Sequence, residues 1–176
     1  MDSTSKYRWI RKSLLIAILT GLMGACSNID CPLDNQVVMT LSFFNSTSGE
    51  AVSISDSLSV YGLKEGKEEI LFNRGVSLSS ITLPLNQSSD HDTLLLVFHN
   101  DSERVTDTLY LQHSRQPHFE AIDCPASVFH RLITSQISVR TIASSLPTID
   151  SVIISNSNVN YEDVENLKVF LRPSTQ

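Results

Sequence analysis

Cys124 is the residue whose surroundings come nearest to a chemical motif. His118 and His130 stand six positions away on either side. A Cys–His nucleophile needs a free thiolate with a base within hydrogen-bond reach. The same cysteine has a competing use. It lies in Ile122-Asp123-Cys124-Pro125, and Ile29-Asp30-Cys31-Pro32 repeats that tetrapeptide. A residue before proline is pushed toward extended backbone, so both cysteines are expected on extended chain. In an exported protein an even pair reads first as a disulfide, here Cys31–Cys124. It would close a loop of about 94 residues and stabilise by roughly 4.5 kcal/mol in the chain-entropy account. Two buried free thiols are the competing reading. A zinc site would need paired C-x-x-C spacing, which two isolated cysteines lack. Oxidation would remove Cys124 as a nucleophile, so the expectation is no enzyme.

The other reactive side chains form no recognised pattern. His91, His99 and His113 complete the histidines, and no two of the five have H-x-H or H-x-x-x-H spacing. The serines lack a G-x-S-x-G elbow. Only Gly49, Gly62, Gly66 and Gly75 follow residue 25, too few and too scattered for a phosphate-cradling loop. Asp90-His91-Asp92 could hold a cation weakly, but it lacks the ladder of a calcium loop and reads as a solvated turn. No catalytic residue, metal or cofactor is predicted.

The N-terminus assigns a compartment. Lys6, Arg8, Arg11 and Lys12 precede an apolar run from Leu14 to Met23, then the small residues Gly24 and Ala25, then Cys26. A basic region, a short apolar region and a small-residue cleavage site make a signal peptide, residues 1–25. The run is too short for a spanning helix, which needs roughly 20 apolar residues. Gly24-Ala25-Cys26 resembles the bacterial lipobox, with Met23 standing where leucine is common. The resemblance implies that Cys26 is acylated, with chains such as palmitate, and held to the bilayer. Two or more acyl chains anchor stably. Residues 26–35 then form a short tether and 36–173 a single folded domain.

Removing the leader changes the charge. It takes four of 13 Lys+Arg and one of 19 Asp+Glu, leaving 9 against 18 and a net charge of −9. That balance repels phosphate backbones and argues against nucleic-acid binding. The leader also takes Trp9, the one tryptophan. Tyr61, Tyr110, Tyr161 and seven phenylalanines remain as aromatic residues, and the phenylalanines are expected in the core. Binding of a glycan or cell-wall fragment is therefore the alternative reading, behind an adaptor role.

What must position these residues is β-structure. Val37, Met39, Leu41 and Phe43 alternate with a second face at period two. Ile54, Leu58 and Val60 are further inward candidates. Thr93–His99 and Arg104–Leu111 flank Asn100-Asp101-Ser102-Glu103, a hairpin signature. Gly62–Glu69 reads as a charged loop. His118–Ile122 reads as extended chain leading into Cys124. Val128–Ile133 and Gln136–Ile142 read as strands, joined or separate. Tyr161–Asn166 could make one helical turn. Eight to ten strands with turn signals between them predict an all-β, antiparallel β-sandwich, Ig-like or similar.

Four stretches carry a resemblance: Cys26 to Asp34, Leu71 to Val76, Pro117 to Glu120 running into Asp123-Cys124-Pro125, and Asp150 to Ile154 followed by Asn158 to Tyr161. With them the chain resembles small envelope lipoproteins of Bacteroidota grouped as a domain of unknown function. The resemblance implies an exported, lipidated, all-β protein without known activity, and points to an outer-membrane β-barrel protein as a partner. Ser27 is not the aspartate that retains lipoproteins at the inner membrane in other bacteria, and no acidic run follows Cys26. The expected location is therefore the outer membrane, facing the periplasm. Envelope proteins of that group can carry O-glycans at Asp-Ser/Thr-apolar tripeptides, which makes Ser57, Thr93, Thr108 and Ser151 candidate sites. The function expected is a non-catalytic structural or adaptor lipoprotein.

Overall fold

Alternating burial sets the inner faces of the strands. On β1 (Met39–Asn45), Met39, Leu41 and Phe43 are fully buried, while Thr40, Ser42 and Phe44 lie half-buried on the other face. The computed structural model describes residues 36–122, 124–138 and 145–172. The expected signal peptide, Cys26 and Cys31 lie outside the described residues. The remaining strands are β2 (Ser57–Lys64), β3 (Lys67–Gly75), β4 (Ser80–Leu83), β5 (His91–His99), β6 (Arg104–His118), β7 (Ser127–Ile137), β8 (Thr148–Ile154), β9 (Asn158–Val159) and β10 (Glu165–Arg172). There is no helix among the described residues.

The ten strands form two sheets. One has four strands in the order β4-β1-β10-β8, the other six in the order β3-β2-β5-β6-β7-β9. Leu58, Val60, Leu94, Leu96, Phe98 and Leu109 of the larger sheet share one core with Met39, Leu41, Phe43, Leu167 and Val169 of the smaller. Burying each such side chain contributes about 1.5–3 kcal/mol. The described residues are a β-sandwich, as the alternation predicts, and Ile54, Leu58 and Val60 all face inward.

Several details differ from the sequence reading. The sandwich is not wholly antiparallel, because β1 and β10 run parallel in the middle of the smaller sheet, with Leu41 beside Leu167 and Phe43 beside Val169. Parallel neighbours need a crossover connection. Here nearly the whole fold lies between the two strands, so no local signal marks the pair. Gly62–Glu69 is not a loop. β2 and β3 pair down to Lys64 and Lys67 around a two-residue turn, Glu65-Gly66, with φ of 51° and 77°. Two positive φ values make the hairpin turn whose twist suits the strands. Tyr161–Asn166 makes no helical turn. β6 stops at His118, so Phe119–Ile122 is a bend rather than extended chain. β7 is one continuous strand from Ser127 to Ile137.

Asn166 ties the sheets together where the β1–β10 register slips. Thr40 pairs with Glu165 and Leu41 with Leu167, leaving Asn166 as the extra residue. Its buried side chain replaces the missing ladder bonds. Oδ1 accepts from the Thr40 backbone N–H at 3.0 Å, and Nδ2 donates to the carbonyls of Asn156 at 3.2 Å and Asn158 at 2.7 Å. The smaller sheet thereby holds β9 against the edge of the larger one.

Candidate functional site

Three polar residues take core-facing positions on adjacent strands β5, β6 and β7. On β5 the inward series is Asp92, Leu94, Leu96, Phe98. On β6 it is Val105, Asp107, Leu109, Leu111, His113. On β7 His130 and Leu132 face inward. The register sets Thr93 beside Tyr110 and Arg115 beside His130, bringing Asp92, His113 and His130 together at one end of the sandwich. His113 is 1% exposed and His130 5%.

They form one hydrogen-bonded chain. Asp92 Oδ2 lies 2.9 Å from His113 Nε2 and also accepts from the Asn86 backbone N–H at 3.1 Å. His113 Nδ1 lies 3.1 Å from His130 Nδ1, with the rings edge to face. An ionised carboxylate only accepts, so Nε2 of His113 carries a proton. When His113 is neutral, its Nδ1 is then an acceptor and His130 donates through Nδ1–H. That leaves Nε2 of His130 as a lone pair with no hydrogen bond among the described residues. Burial, then the neighbouring His113, pushes the His130 pKa down to about 4, so its ring is neutral near pH 7. Close by, the Arg115 guanidinium bonds Asp90 at 2.6 Å and holds that carboxyl below its usual range.

An open cavity of about 370 Å³ lies at the β6–β7–β9 edge, on the outward face of the sheet that carries Ser114, Gln116, Phe129 and Arg131, with the inward-facing His130 at its border. Gln116, Arg131, Asn158 and Asn160 supply polar groups to its wall, and Phe129 an aromatic face. Phe129 is held between two rings. His118 stacks on it at 4.3 Å and Tyr161 meets it edge-on at 4.9 Å. The Tyr161 hydroxyl is fixed by a 2.6 Å hydrogen bond with Ser127. No group of three or more metal-ligating side chains occurs among the described residues.

The sequence candidates are placed as follows. Cys124 is half-buried in the β6–β7 connection, and its sulfur is not without a partner. His118 and His130 are committed to Phe129 and His113 rather than set up as bases for it. In Asp90-His91-Asp92 the first two residues are exposed, as a solvated turn would have them, with Asp90 paired to Arg115, whereas Asp92 departs from that reading by pointing inward to His113. Ser57, Thr93, Thr108 and Ser151 are each half-buried on a strand. At two of these tripeptides the aspartate is spent on the fold. Asp92 orients His113, and Asp107, 1% exposed, accepts from the Ile149 backbone N–H at 2.8 Å across the two sheets. Thr108 lies mid-strand, its backbone bonded both ways to Ser138. The phenylalanines are not all core. Phe43 and Phe98 are fully buried, whereas Phe129 lines the cavity and Phe119 is 66% exposed.

Sequence spacing missed the Asp92–His113–His130 chain because its members are 21 and 17 residues apart. One signal was present: His113 continues the inward series Leu109, Leu111, and His130 begins the one that Leu132 continues. A polar ring in phase with a buried apolar series must find a polar partner.

No curated protein and no solved structure matches the chain. Residues 57–171, which run from the first residue of β2 into β10 and carry Asp92, His113, Cys124 and His130, match the family of unknown function DUF6452, and the chain belongs to that family.

Proposed function

We propose that the protein is a non-catalytic envelope lipoprotein that acts as an adaptor to a membrane-embedded partner, such as an outer-membrane β-barrel protein. The observation that carries this reading is the β6–β7 connection. Phe119 is 66% exposed and Ile122 96%, and both lie within the five residues before Cys124. Two large apolar side chains on one short bend suit a lipid interface or an apolar partner better than water. The leader and Cys26 supply the anchor in this reading. Cys26 and Cys31 are five steps apart, at most roughly 17 Å of extended chain. A Cys31–Cys124 bond would therefore hold this bend close to the bilayer.

The test is capture of partners by the full-length acylated protein from its host membrane. A stoichiometric membrane protein should be recovered, and the double variant Phe119→Ser/Ile122→Ser should lose it. Both side chains are exposed, so folding stability should move by no more than about 0.5 kcal/mol. Failure to recover any partner, or a variant that retains it fully, would overturn the adaptor reading.

A second reading is favoured by a separate observation. The cavity at the β6–β7–β9 edge joins amide and guanidinium groups to an aromatic face, a composition suited to a glycan or cell-wall fragment. O-glycans on Ser57, Thr93, Thr108 or Ser151 belong to the same envelope reading. Intact mass of protein from its host checks them, since lipid plus peptide alone would exclude them.

A further inference from the structure

The outward face of the larger sheet carries a pocket of about 350 Å³ beside the β5–β6 turn. The register collects its walls. Ser59 pairs with Val97, and His99 pairs with Arg104, so Ser59, Tyr61, Val97, His99 and Arg104 share the face that points away from the core. Ser59 and Val97 form its floor and are 3% and 4% exposed.

A backbone device brings Arg74 over that floor. Leu58 pairs with Gly75 and Val60 with Phe72, which leaves Asn73 and Arg74 as extra residues opposite Ser59. Arg74 has a φ of 47°, a left-handed conformation uncommon for a long side chain. Two neighbours hold it there. Its N–H donates to the outward-facing Ser59 Oγ at 3.1 Å. Gly75 lies so close to the core that a Cβ would come within 2.6 Å of the Phe72 ring and 2.7 Å of Leu78. Glycine at position 74 would take this turn without strain, yet the position carries a guanidinium. A strained residue held by its surroundings points to a use for the side chain.

The charges in the pocket are unequally committed. Arg115 and Arg172 pair with Asp90 and Asp150, but neither the Arg74 nor the Arg104 guanidinium has an ion pair or hydrogen bond among the described residues. Of the two acids beside them, Glu103 is turned away, accepting from the Ser145 backbone N–H at 3.1 Å and its hydroxyl at 2.6 Å. Asp101 stays at the rim, in a turn that Asn100 Oδ1 closes by accepting from the Ser102 and Glu103 N–H groups. His99 and Tyr61 add further donors. Donors on four side chains around one space suit an oxyanion with several oxygens, and guanidinium groups match phosphate in geometry as well as charge. The net charge of −6 opposes a polyanion, so the match is to a single phosphate.

We propose that this pocket binds the phosphate group of a phosphate monoester, held by the guanidinium groups of Arg74 and Arg104. A soluble ester and a lipid headgroup present the same group, and the test separates them. The proposal stands apart from the adaptor and glycan readings.

The full chain, in a non-ionic detergent near neutral pH, is titrated calorimetrically with inorganic phosphate, glycerol 3-phosphate and glucose 1-phosphate. A separate titration uses mixed micelles carrying phosphatidic acid. At least one probe should bind saturably. Arg104→Gln should weaken it about tenfold, the loss of one charge-assisted contact. Arg74→Gly keeps the backbone turn without its strain, so it should weaken binding similarly while the thermal midpoint holds or rises. Asp101→Asn should tighten binding severalfold, because the rim carboxylate opposes an anion. Binding of the soluble esters assigns a free phosphate compound, and binding of the phosphatidic acid micelles alone assigns a headgroup. Absence of saturable binding by every probe, or binding that both arginine variants leave unchanged, overturns the site.

Discussion

His130 is a buried ring whose protonation the fold opposes. Its pKa of about 4 lies below the ordinary 6.5, chiefly through burial and then through His113, while Asp92 acts in the opposite sense. Between those values the unfolded chain binds the proton more readily than the native one. Stability is therefore fully present above about pH 6.5 and is lost as pH falls toward 4, by at most about 3 kcal/mol. Urea midpoints at pH 7 and pH 4.5 should show the drop, and His130→Phe should flatten it. An equal drop in that variant would assign the effect to another group, such as the Asp90 carboxyl that Arg115 holds below its usual range. Asp107 makes a complementary case. Its carboxylate reaches across the core to β8, so Asp107→Ala should cost about 2–3 kcal/mol by stranding the Ile149 N–H.

Among the strands, the two points of greatest leverage are a bulge and a turn. Asn166 fills the slip between β1 and β10 with three hydrogen bonds and holds β9 in place. Asn166→Ala leaves one buried N–H and two carbonyls short of partners and should destabilise by about 2–4 kcal/mol in chemical denaturation. Because Asn158 stands at the cavity wall, the same variant should also loosen the cavity. The Glu65-Gly66 turn offers a gain. Glu65 sits at φ 51°, a region in which asparagine is at home. Glu65→Asn should raise stability by about 0.5–1 kcal/mol, read from the thermal midpoint. This turn escaped the sequence reading because Lys64-Glu65-Gly66-Lys67 is highly charged and lacks the Asn-Gly or Asp-Gly pair that usually marks it.

In the proposed envelope reading, the whole molecule's attachment depends on its cysteines. If Cys31 and Cys124 are joined, Cys31→Ser should lower stability by several kcal/mol, up to roughly 4.5 in the chain-entropy account. Reduction of the wild type should produce the same loss, and no change in either would remove the staple. The apolar bend at Phe119 and Ile122 would then lie within one short tether of the lipid.

The all-β class and the identity of the inner faces were legible in the amino-acid order. Met39, Leu41, Phe43 and Leu94, Leu96, Phe98 show why: side-chain alternation is a local property of extended chain and does not depend on which strand lies alongside. Strand pairing was not. Nothing near Leu41 or Leu167 announces that they are parallel neighbours, because that contact follows from closing the whole fold. The Asp92–His113–His130 chain belongs with it. Each residue looks isolated along the chain, and their meeting required three strands in one register with a half-buried carboxylate to orient the first ring.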